Sequence, residues 1–144
     1  MPLQRLAYGT WLVMVARNVE RERLHDRVLQ GAVRDLAGVW PVGSVVECGR
    51  AADDGPTHAV AGPQGHLTLH AFPAAGGLVI TAFAVGAVPV VRFVERAEKV
   101  FDLEVYELQS SRFGVLWPRE SEALERLLPG ERFVARARLV PTLD

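Results

Sequence analysis

Cysteine is nearly absent from this chain of 144 residues, which contains only Cys48. A lone cysteine forms no disulfide within the chain, and such usage is typical of a reducing compartment. Long apolar runs are also missing, since no stretch reaches the roughly 18 residues that a membrane-spanning helix needs. Arg5, Arg17 and Glu20 lie within or beside the apolar part of the first 20 residues, unlike a secretory leader. We therefore expect a cytoplasmic protein.

An excess of charge of either sign is absent too. Lysine and arginine number 16 against 17 aspartates and glutamates, for a net charge of −1. This balance argues against nucleic acid or an anionic membrane as the partner, because both attract strongly basic surfaces. Hydrophobic residues make up 49% and charged residues 23%, the composition of an ordinary globular protein. The length predicts a single domain over residues 1–144.

Hydrophobic periodicity predicts more strands than helices. Alternating or β-branched runs predict strands at 7–16, 42–48, 57–61, 66–72, 78–85, 103–108 and 131–140. Apolar residues that recur near every 3.6 positions predict helices at 20–37, 89–101 and 118–128. The stretch 73–77 is short enough to join antiparallel neighbours. The predicted fold class is α+β, a two-layer sandwich of an antiparallel sheet with helices packed on one face.

Local signals set the predicted helix boundaries. Gly38 ends the first helix, and Pro89 begins the second, where a missing N–H does no harm. Ser121 is the predicted N-cap of the third helix, which Pro129 ends. The predicted buried stripe of the first helix consists of Leu24, Val28, Val33 and Leu36.

The segment 62-GPQGHLTLHAFP-73 has the most distinctive pattern in the chain. As a strand, it presents His66, Thr68 and His70 on one face. The two histidines would then lie about 13 Å apart along the strand, too far to share a zinc ion with Zn–N bonds of about 2 Å. No metal site is expected. The histidines are either half-buried residues satisfied by hydrogen bonds or part of a functional site.

Other catalytic and phosphate-binding motifs are weak. Cys48 could meet a strand histidine in space as a nucleophile and base, but it lies in an apolar alternation, where cysteine usually serves as packing. The run 75-AGG-77 lacks the lysine and the helix that follow a phosphate loop.

The segment 66-HLTLHAFP-73, followed by 78-LVITAFAVG-86 and a helix that begins at Pro89, resembles the bacterial S-adenosylmethionine decarboxylases. In that family a strand reads Ser-His-Leu-Thr/Ser-Ile-His-Thr-Trp-Pro-Glu. A hairpin leads to a strand that ends Phe-Thr-Cys-Gly, and a proline begins the next helix. The resemblance covers roughly residues 7–112 and is strongest over 57–101. It offers no counterpart for a C-terminal extension at 115–144.

The resemblance implies an unusual chemistry. The family's precursor cuts itself before the serine of this strand, whose hydroxyl attacks the preceding carbonyl. An ester forms, and elimination leaves an N-terminal pyruvoyl group. This ketone forms a Schiff base with the substrate amine and withdraws electrons as carbon dioxide leaves.

Four functional positions of the family are changed here. The resemblance places the self-cleaving serine on Gly65 and the preceding glutamate on Gln64. It places the proton-donating cysteine on Val85 and the glutamate of Trp-Pro-Glu on Ala74. Glycine has no Oγ, so no pyruvoyl group can arise, and valine cannot exchange a proton.

Other positions keep their chemistry. Thr57 matches a serine that assists processing and keeps a hydroxyl, and His70 matches the histidine needed for processing. Phe72 replaces the tryptophan and keeps an aromatic face that can stack on a ring.

We therefore expect a degenerate homologue that is uncleaved, has no pyruvoyl cofactor and is not an enzyme. The resemblance implies a homodimer. It also implies either a ligand such as S-adenosylmethionine or a polyamine, bound by His66, Thr68, His70 and Phe72, or the regulation of an active decarboxylase. The alternative is a genuine enzyme of polyamine metabolism, or one with histidine-based chemistry in the same pocket. A third interpretation is a structural homodimer that has lost its activity.

Overall fold

Six strands form one sheet in the order β2-β3-β4-β5-β1-β6. The computed structural model describes residues 9–43, 46–52, 54–86, 88–113 and 121–139. The strands are β1 (Gly9–Arg17), β2 (Val46–Arg50), β3 (Thr57–Gly62), β4 (Gly65–Phe72), β5 (Gly77–Val85) and β6 (Val105–Phe113). The helices are α1 (Asp26–Ala37), α2 (Val90–Phe101) and α3 (Ser121–Leu139). The pairings β2–β3, β3–β4, β4–β5 and β5–β1 are antiparallel, so the predicted α+β class is confirmed.

The chain divides into two compact units. Residues 9–112 form one unit, which contains the sheet from β1 to β5, most of β6 and the helices α1 and α2. Helix α3 belongs to the other unit. Among the described residues, no helix is both long enough and apolar enough to cross a membrane.

The core of the larger unit lies between one face of the sheet and the helices α1 and α2. Alternate residues of the strands point into it because successive side chains of a strand face opposite ways. Each large apolar side chain buried here contributes about 1.5–3 kcal/mol. Trp40 fills the end of this layer: its ring meets Phe93 edge-on at 5.0 Å, and its indole N–H donates to the Phe83 carbonyl at 3.0 Å. Other core residues are Leu12, Met14, Leu29, Val33, Leu36, Leu67, Leu69, Ile80, Ala97 and Phe101.

The connection between β4 and β5 forms the predicted hairpin. Pro73–Ala75 make one 3-10 turn, and Gly76 follows in the left-handed region at φ 64°. Glycine adopts this conformation without the penalty that a Cβ imposes. The Gly76 carbonyl accepts the Val19 N–H at 2.9 Å, which fixes the hairpin to the chain that follows β1.

The predicted helix at 20–37 is interrupted. Residues Arg21–Leu24 form a 3-10 turn, and α1 begins at Asp26 because His25 is extended, at φ −72° and ψ 152°. This break resets the helical phase, so Leu24 no longer continues the stripe of α1. Val28 is 38% exposed and Leu29 is fully buried, which corrects the predicted stripe.

Strand β2 lies further along the chain than the predicted 42–48. Val42 is buried outside the sheet, where its carbonyl accepts the Gln64 N–H at 3.1 Å. Gly43 has a left-handed φ of 83°, which is incompatible with a continuous strand. Pairing with β3 therefore begins at Val46 and runs to Arg50, two residues past the predicted end of the strand.

The predicted C-terminal helix at 118–128 is confirmed over residues 121–128, but its predicted end at Pro129 and the predicted strand at 131–140 are wrong. Helix α3 runs without interruption from Ser121, its first residue, to Leu139, with Pro129 inside it. Proline removes one helical hydrogen bond, but 131-ERFVARARL-139 is rich in strong helix formers. The same alternation of arginine and alanine suits a helix as well as a strand. Residues 118–120 and 140 lie outside the described residues.

Candidate functional site

The strands have a second face, opposite α1 and α2, which we call the open face. Its centre is β4, where His66, Thr68, His70 and Phe72 alternate with the buried Leu67, Leu69 and Ala71. Across the strands, His66 pairs with Ala61 and Phe83, Thr68 with Ala59 and Thr81, and His70 with Thr57 and Val79. Strand β1 adds Trp11, Val13 and Val15 beyond β5. Most of these side chains are half-buried, and none of them is a carboxylate.

The retained polar residues meet at one end of the open face. Thr57 Oγ1 lies 3.1 Å from His70 Nδ1, a hydrogen bond between residues 13 apart in the chain. The imidazole stacks on the Phe72 ring, with centroids 4.8 Å apart and planes inclined by 23°. The stack occupies one side of Phe72, whose side chain remains 42% exposed. Thr57, His70 and Phe72 therefore form one cluster, which we call the threonine–histidine cluster.

Gly65, the position of the family's serine, lies at the opposite end of β4. It pairs with Ala84 and with Gly62. A Cβ at position 65 would collide with the Phe83 carbonyl oxygen and would lie 2.9 Å from the Ala84 Cα. Both atoms belong to the backbone, and the same carbonyl accepts the Trp40 indole N–H. The backbone around Gly65 has no room for any side chain.

The other changed positions also lie near one end of β4 or the other. The Val85 N–H donates to the Gln64 carbonyl at 2.8 Å, so both residues adjoin Gly65. Val85 is 50% exposed at the end of β5. Ala74 lies in the 3-10 turn that follows Phe72, at the far end of the strand.

The structure does not bring Gly65 next to His70. Five residues of strand separate them, or about 16 Å. His66 accompanies Gly65 and stacks on Phe83, with ring centroids 5.9 Å apart. Among the described residues, no group of three or more histidine, cysteine or acidic side chains could hold a metal ion.

Cys48 does not meet a strand histidine. It pairs with Ala59 in β3, so the outward histidines of β4 lie two strands away, about 10 Å. His58, which pairs with the neighbouring Gly49, points to the other face and is buried.

His58 takes part in a polar cluster that the sequence analysis missed. His58 Nε2 lies 2.6 Å from Asp26 Oδ1. Beside it, Arg34 donates two hydrogen bonds to Glu47, at 2.7 and 2.8 Å. These bonds hold the pKa of the Glu47 carboxyl below its ordinary value, and the carboxylate raises the pKa of Arg34. No motif relates His58 to Asp26, 32 residues earlier, so only their inward orientation in β3 and α1 could have indicated the pair.

No protein-family model matches the sequence, and no curated protein matches it. Among solved structures, the chain is similar to the adenosylmethionine decarboxylase from Aquifex aeolicus VF5. The TM-score is 0.69 at 13% sequence identity, and the match covers 80% of this chain and 97% of that chain. The chain therefore has the adenosylmethionine decarboxylase-like fold, as its sheet order and helix layer also indicate.

Proposed function

We propose that the protein is an uncleaved, non-catalytic relative of the adenosylmethionine decarboxylases that binds a small metabolite on its open face. The observation that carries this proposal is Gly65. Self-cleavage needs a side-chain oxygen at this position, and glycine has none. The close approach of the β5 backbone also leaves no space for one.

The surroundings of Gly65 support the same conclusion. Val85 adjoins it through the hydrogen bond to Gln64, and neither side chain exchanges protons. A chain with this set of residues can neither make the ketone nor complete the proton transfer that follows decarboxylation. We therefore propose that it has no pyruvoyl group.

The threonine–histidine cluster supports a ligand-binding role. His70 and Thr57 offer hydrogen-bonding groups, and the exposed side of Phe72 offers an aromatic surface for a planar ring or a cation. S-adenosylmethionine and polyamines carry such groups. His66 and Thr68 line the same face on the way to Gly65.

The covalent part of the proposal is tested by mass spectrometry of the purified protein. We expect one intact species near 15.8 kDa, since no bond in 62-GPQG-65 is cleaved. Two fragments that separate at the bond between Gln64 and Gly65, or a terminal ketone that hydroxylamine traps, would refute it.

The binding part is tested by calorimetry with S-adenosylmethionine, its decarboxylated product and spermidine. Replacing Phe72→Ala should weaken binding about 3–10-fold, because an aromatic stack is worth roughly 0.5–1.5 kcal/mol. Val91→Ala, an exposed position on α2, is the matched control and should bind normally. Absence of heat with all three metabolites would exclude this ligand class.

The open face also supports a homodimer. Its outward residues are largely apolar or uncharged, and a self-complementary patch is what a two-fold dimer requires. We propose that two copies pack through the β1 side of this face, around Trp11 and Val13, and leave the threonine–histidine cluster accessible to a ligand. An active decarboxylase could occupy the same surface as a regulated partner, and co-purification with such an enzyme would favour that role over metabolite binding.

The hydrogen bond between Thr57 and His70 favours one alternative, a genuine enzyme with histidine-based chemistry. His70 would act as the base that takes the proton of the Thr57 hydroxyl. Turnover that both Thr57→Val and His70→Ala abolish would establish it, whereas release of labelled carbon dioxide from S-adenosylmethionine would refute the non-catalytic proposal itself. Loss of stability alone in His70→Ala would make the histidine structural.

A further inference from the structure

The open face carries an unpaired positive charge at Arg50. This arginine is the last residue of β2, and its side chain is exposed. The other arginine at the outward positions of β1 to β5 is Arg17, which forms an ion pair with Glu107 at 3.0 Å. Within the described part of the chain, no acidic side chain lies within ion-pair distance of Arg50. Apart from its histidines, the open face of these five strands therefore has one charge that the protein leaves unpaired.

Arg50 lies directly beside the threonine–histidine cluster. The pairing of β2 with β3 places Arg50 opposite Thr57, and the pairing of β3 with β4 places Thr57 opposite His70. Residues that lie directly opposite in an antiparallel pair share one face of the sheet, with Cβ atoms about 4.5–5.5 Å apart. The long side chain of Arg50 can therefore reach a group that contacts the Thr57 hydroxyl.

The Thr57 hydroxyl can donate a proton to such a group. Its oxygen lies 3.1 Å from His70 Nδ1 and 3.5 Å from the Gly55 carbonyl oxygen. Hydrogen bonds between two oxygens are usually about 2.5–3.0 Å long, so the contact with Gly55 is weak. In the tautomer that carries the proton on Nδ1, His70 donates to the hydroxyl oxygen and leaves the hydroxyl proton for another acceptor. His70 is then a positioning residue for Thr57.

A hydroxyl donor beside an unpaired guanidinium is suited to a carboxylate. Both oxygens of a carboxylate only accept hydrogen bonds, and arginine binds them with paired N–H groups. Asp54, in the turn after β2, is exposed and forms no ion pair with Arg50, so it does not occupy that place. An ammonium group, in contrast, is repelled by the guanidinium.

We propose that Arg50 and Thr57 bind the carboxylate of the ligand and thereby determine which metabolite the open face takes. This inference rests on the proposed function. The planar ring of the ligand lies on the exposed side of Phe72, and its carboxylate lies above the pair formed by β2 and β3. S-adenosylmethionine has this carboxylate, whereas its decarboxylated product and spermidine lack it and carry more positive charge. Arg50 therefore favours S-adenosylmethionine over both.

Calorimetry with S-adenosylmethionine and its decarboxylated product tests the inference, because the two molecules differ only in the carboxylate. We expect the native chain to bind S-adenosylmethionine about tenfold more tightly, since hydrogen bonds between charged groups are the stronger ones. The preference should decrease as the salt concentration rises, because salt screens exposed charges.

The outcomes separate this inference from the proposed function. Equal affinities for the two compounds, or tighter binding of the decarboxylated product or of spermidine, would overturn the inference and leave the proposed ligand class standing. No heat with any of the three would overturn both.

Variants assign the preference to Arg50. Arg50→Gln keeps N–H donors but removes the charge, and should weaken the binding of S-adenosylmethionine about tenfold without weakening that of the decarboxylated product. Arg50→Lys keeps the charge without the paired N–H groups and should retain part of the preference. Arg27→Gln changes an exposed arginine of α1, on the other side of the sheet, and is the matched control. A native preference in Arg50→Gln, or an equal loss in Arg27→Gln, would overturn the assignment.

Discussion

Gly65 shows how one residue determines what the whole strand can do. The β5 backbone lies where a side chain at position 65 would be. The absent serine is therefore more than a missing hydroxyl, because the surrounding backbone has closed around the glycine. Reintroducing the hydroxyl alone does not recreate the geometry of self-cleavage.

Replacing Gly65→Ser should leave the chain uncleaved and make it less stable. Overpacking against a fixed backbone costs about 1–3 kcal/mol, and we expect a corresponding fall in the thermal midpoint of several degrees. Intact mass and thermal unfolding measure both effects.

Gly31 provides the matched control for that change. It lies in the middle of α1, and a Cβ there meets nothing within 4 Å. Gly31→Ala should raise stability by about 0.5–1 kcal/mol, since glycine is costly within a helix. Efficient cleavage of Gly65→Ser, or stability equal to that of the native chain, would contradict the steric explanation.

At the scale of elements, polar contacts hold the edge strand β2 to the helix layer. All five residues of β2 are exposed, and Arg34 of α1 reaches Glu47 through two hydrogen bonds. These bonds lower the pKa of the Glu47 carboxyl in the folded state. A lowered folded pKa contributes stability above the unfolded pKa, and this contribution is lost as pH falls through the folded value.

Glu47→Gln should therefore reduce stability at pH 7, and its effect should diminish as the pH falls below 4.5. Below the ordinary glutamate pKa of 4.5, the native chain progressively loses the stability that this carboxylate contributes. The variant lacks that contribution at every pH. Urea unfolding at several pH values measures the difference. Glu104→Gln, an exposed carboxylate before β6, is the control, and an equal pH profile in the two variants would exclude the role of Arg34.

Helix α3 is destabilised locally by the proline within it. Pro129 deprives the Glu125 carbonyl of its helical partner, and proline within a helix is about 3 kcal/mol less favourable than alanine. Pro129→Ala should raise the helical signal in circular dichroism and protect the amides of residues 126–133 from exchange. An unchanged or lower helical signal would contradict a helix that continues through position 129.

The sequence predicted the elements best where one physical signal dominated. The hairpin of β4 and β5 and the helix after Pro89 have strong alternation, glycines and a proline at their boundaries. Elements with competing signals were predicted less well. His25 interrupts the helix predicted at 20–37 despite its continuous apolar stripe, and the alternation at 132–139 is compatible with either a strand or a helix. Within the candidate site, the sequence predicts the shared face of His66 and His70, because residues an even number of positions apart in a strand point the same way. It does not predict the contacts of Thr57 with His70 and of Asp26 with His58, because the pairing of strands and helices is not encoded in local spacing.

At the scale of the whole molecule, the proposed homodimer packs through the open face. Light scattering should give twice the mass of the 15.8 kDa chain if two copies pack through it. Val13→Glu adds a charge at an outward position of β1 and should give a monomer, because an unpaired charge is costly to bury.

Val91→Glu is the matched control for assembly. Its side chain is 72% exposed on α2, on the layer that the proposed dimer leaves free, and the dimer should persist. A monomeric native chain, or dissociation by both substitutions, would exclude packing through the open face.

Thr57 and His58 are consecutive in β3, yet the first bonds to His70 and the second to Asp26 beneath the sheet. Odd and even residues of this strand thus belong to different chemical environments. A slip of β3 by one residue would turn the threonine toward the helices and the imidazole outward, and would dismantle both clusters at once. A slip by two residues would return each side chain to its original face of the sheet but would separate it from its hydrogen-bond partner. The correct alignment of β3 is therefore a single condition on which the chemistry of both surfaces depends.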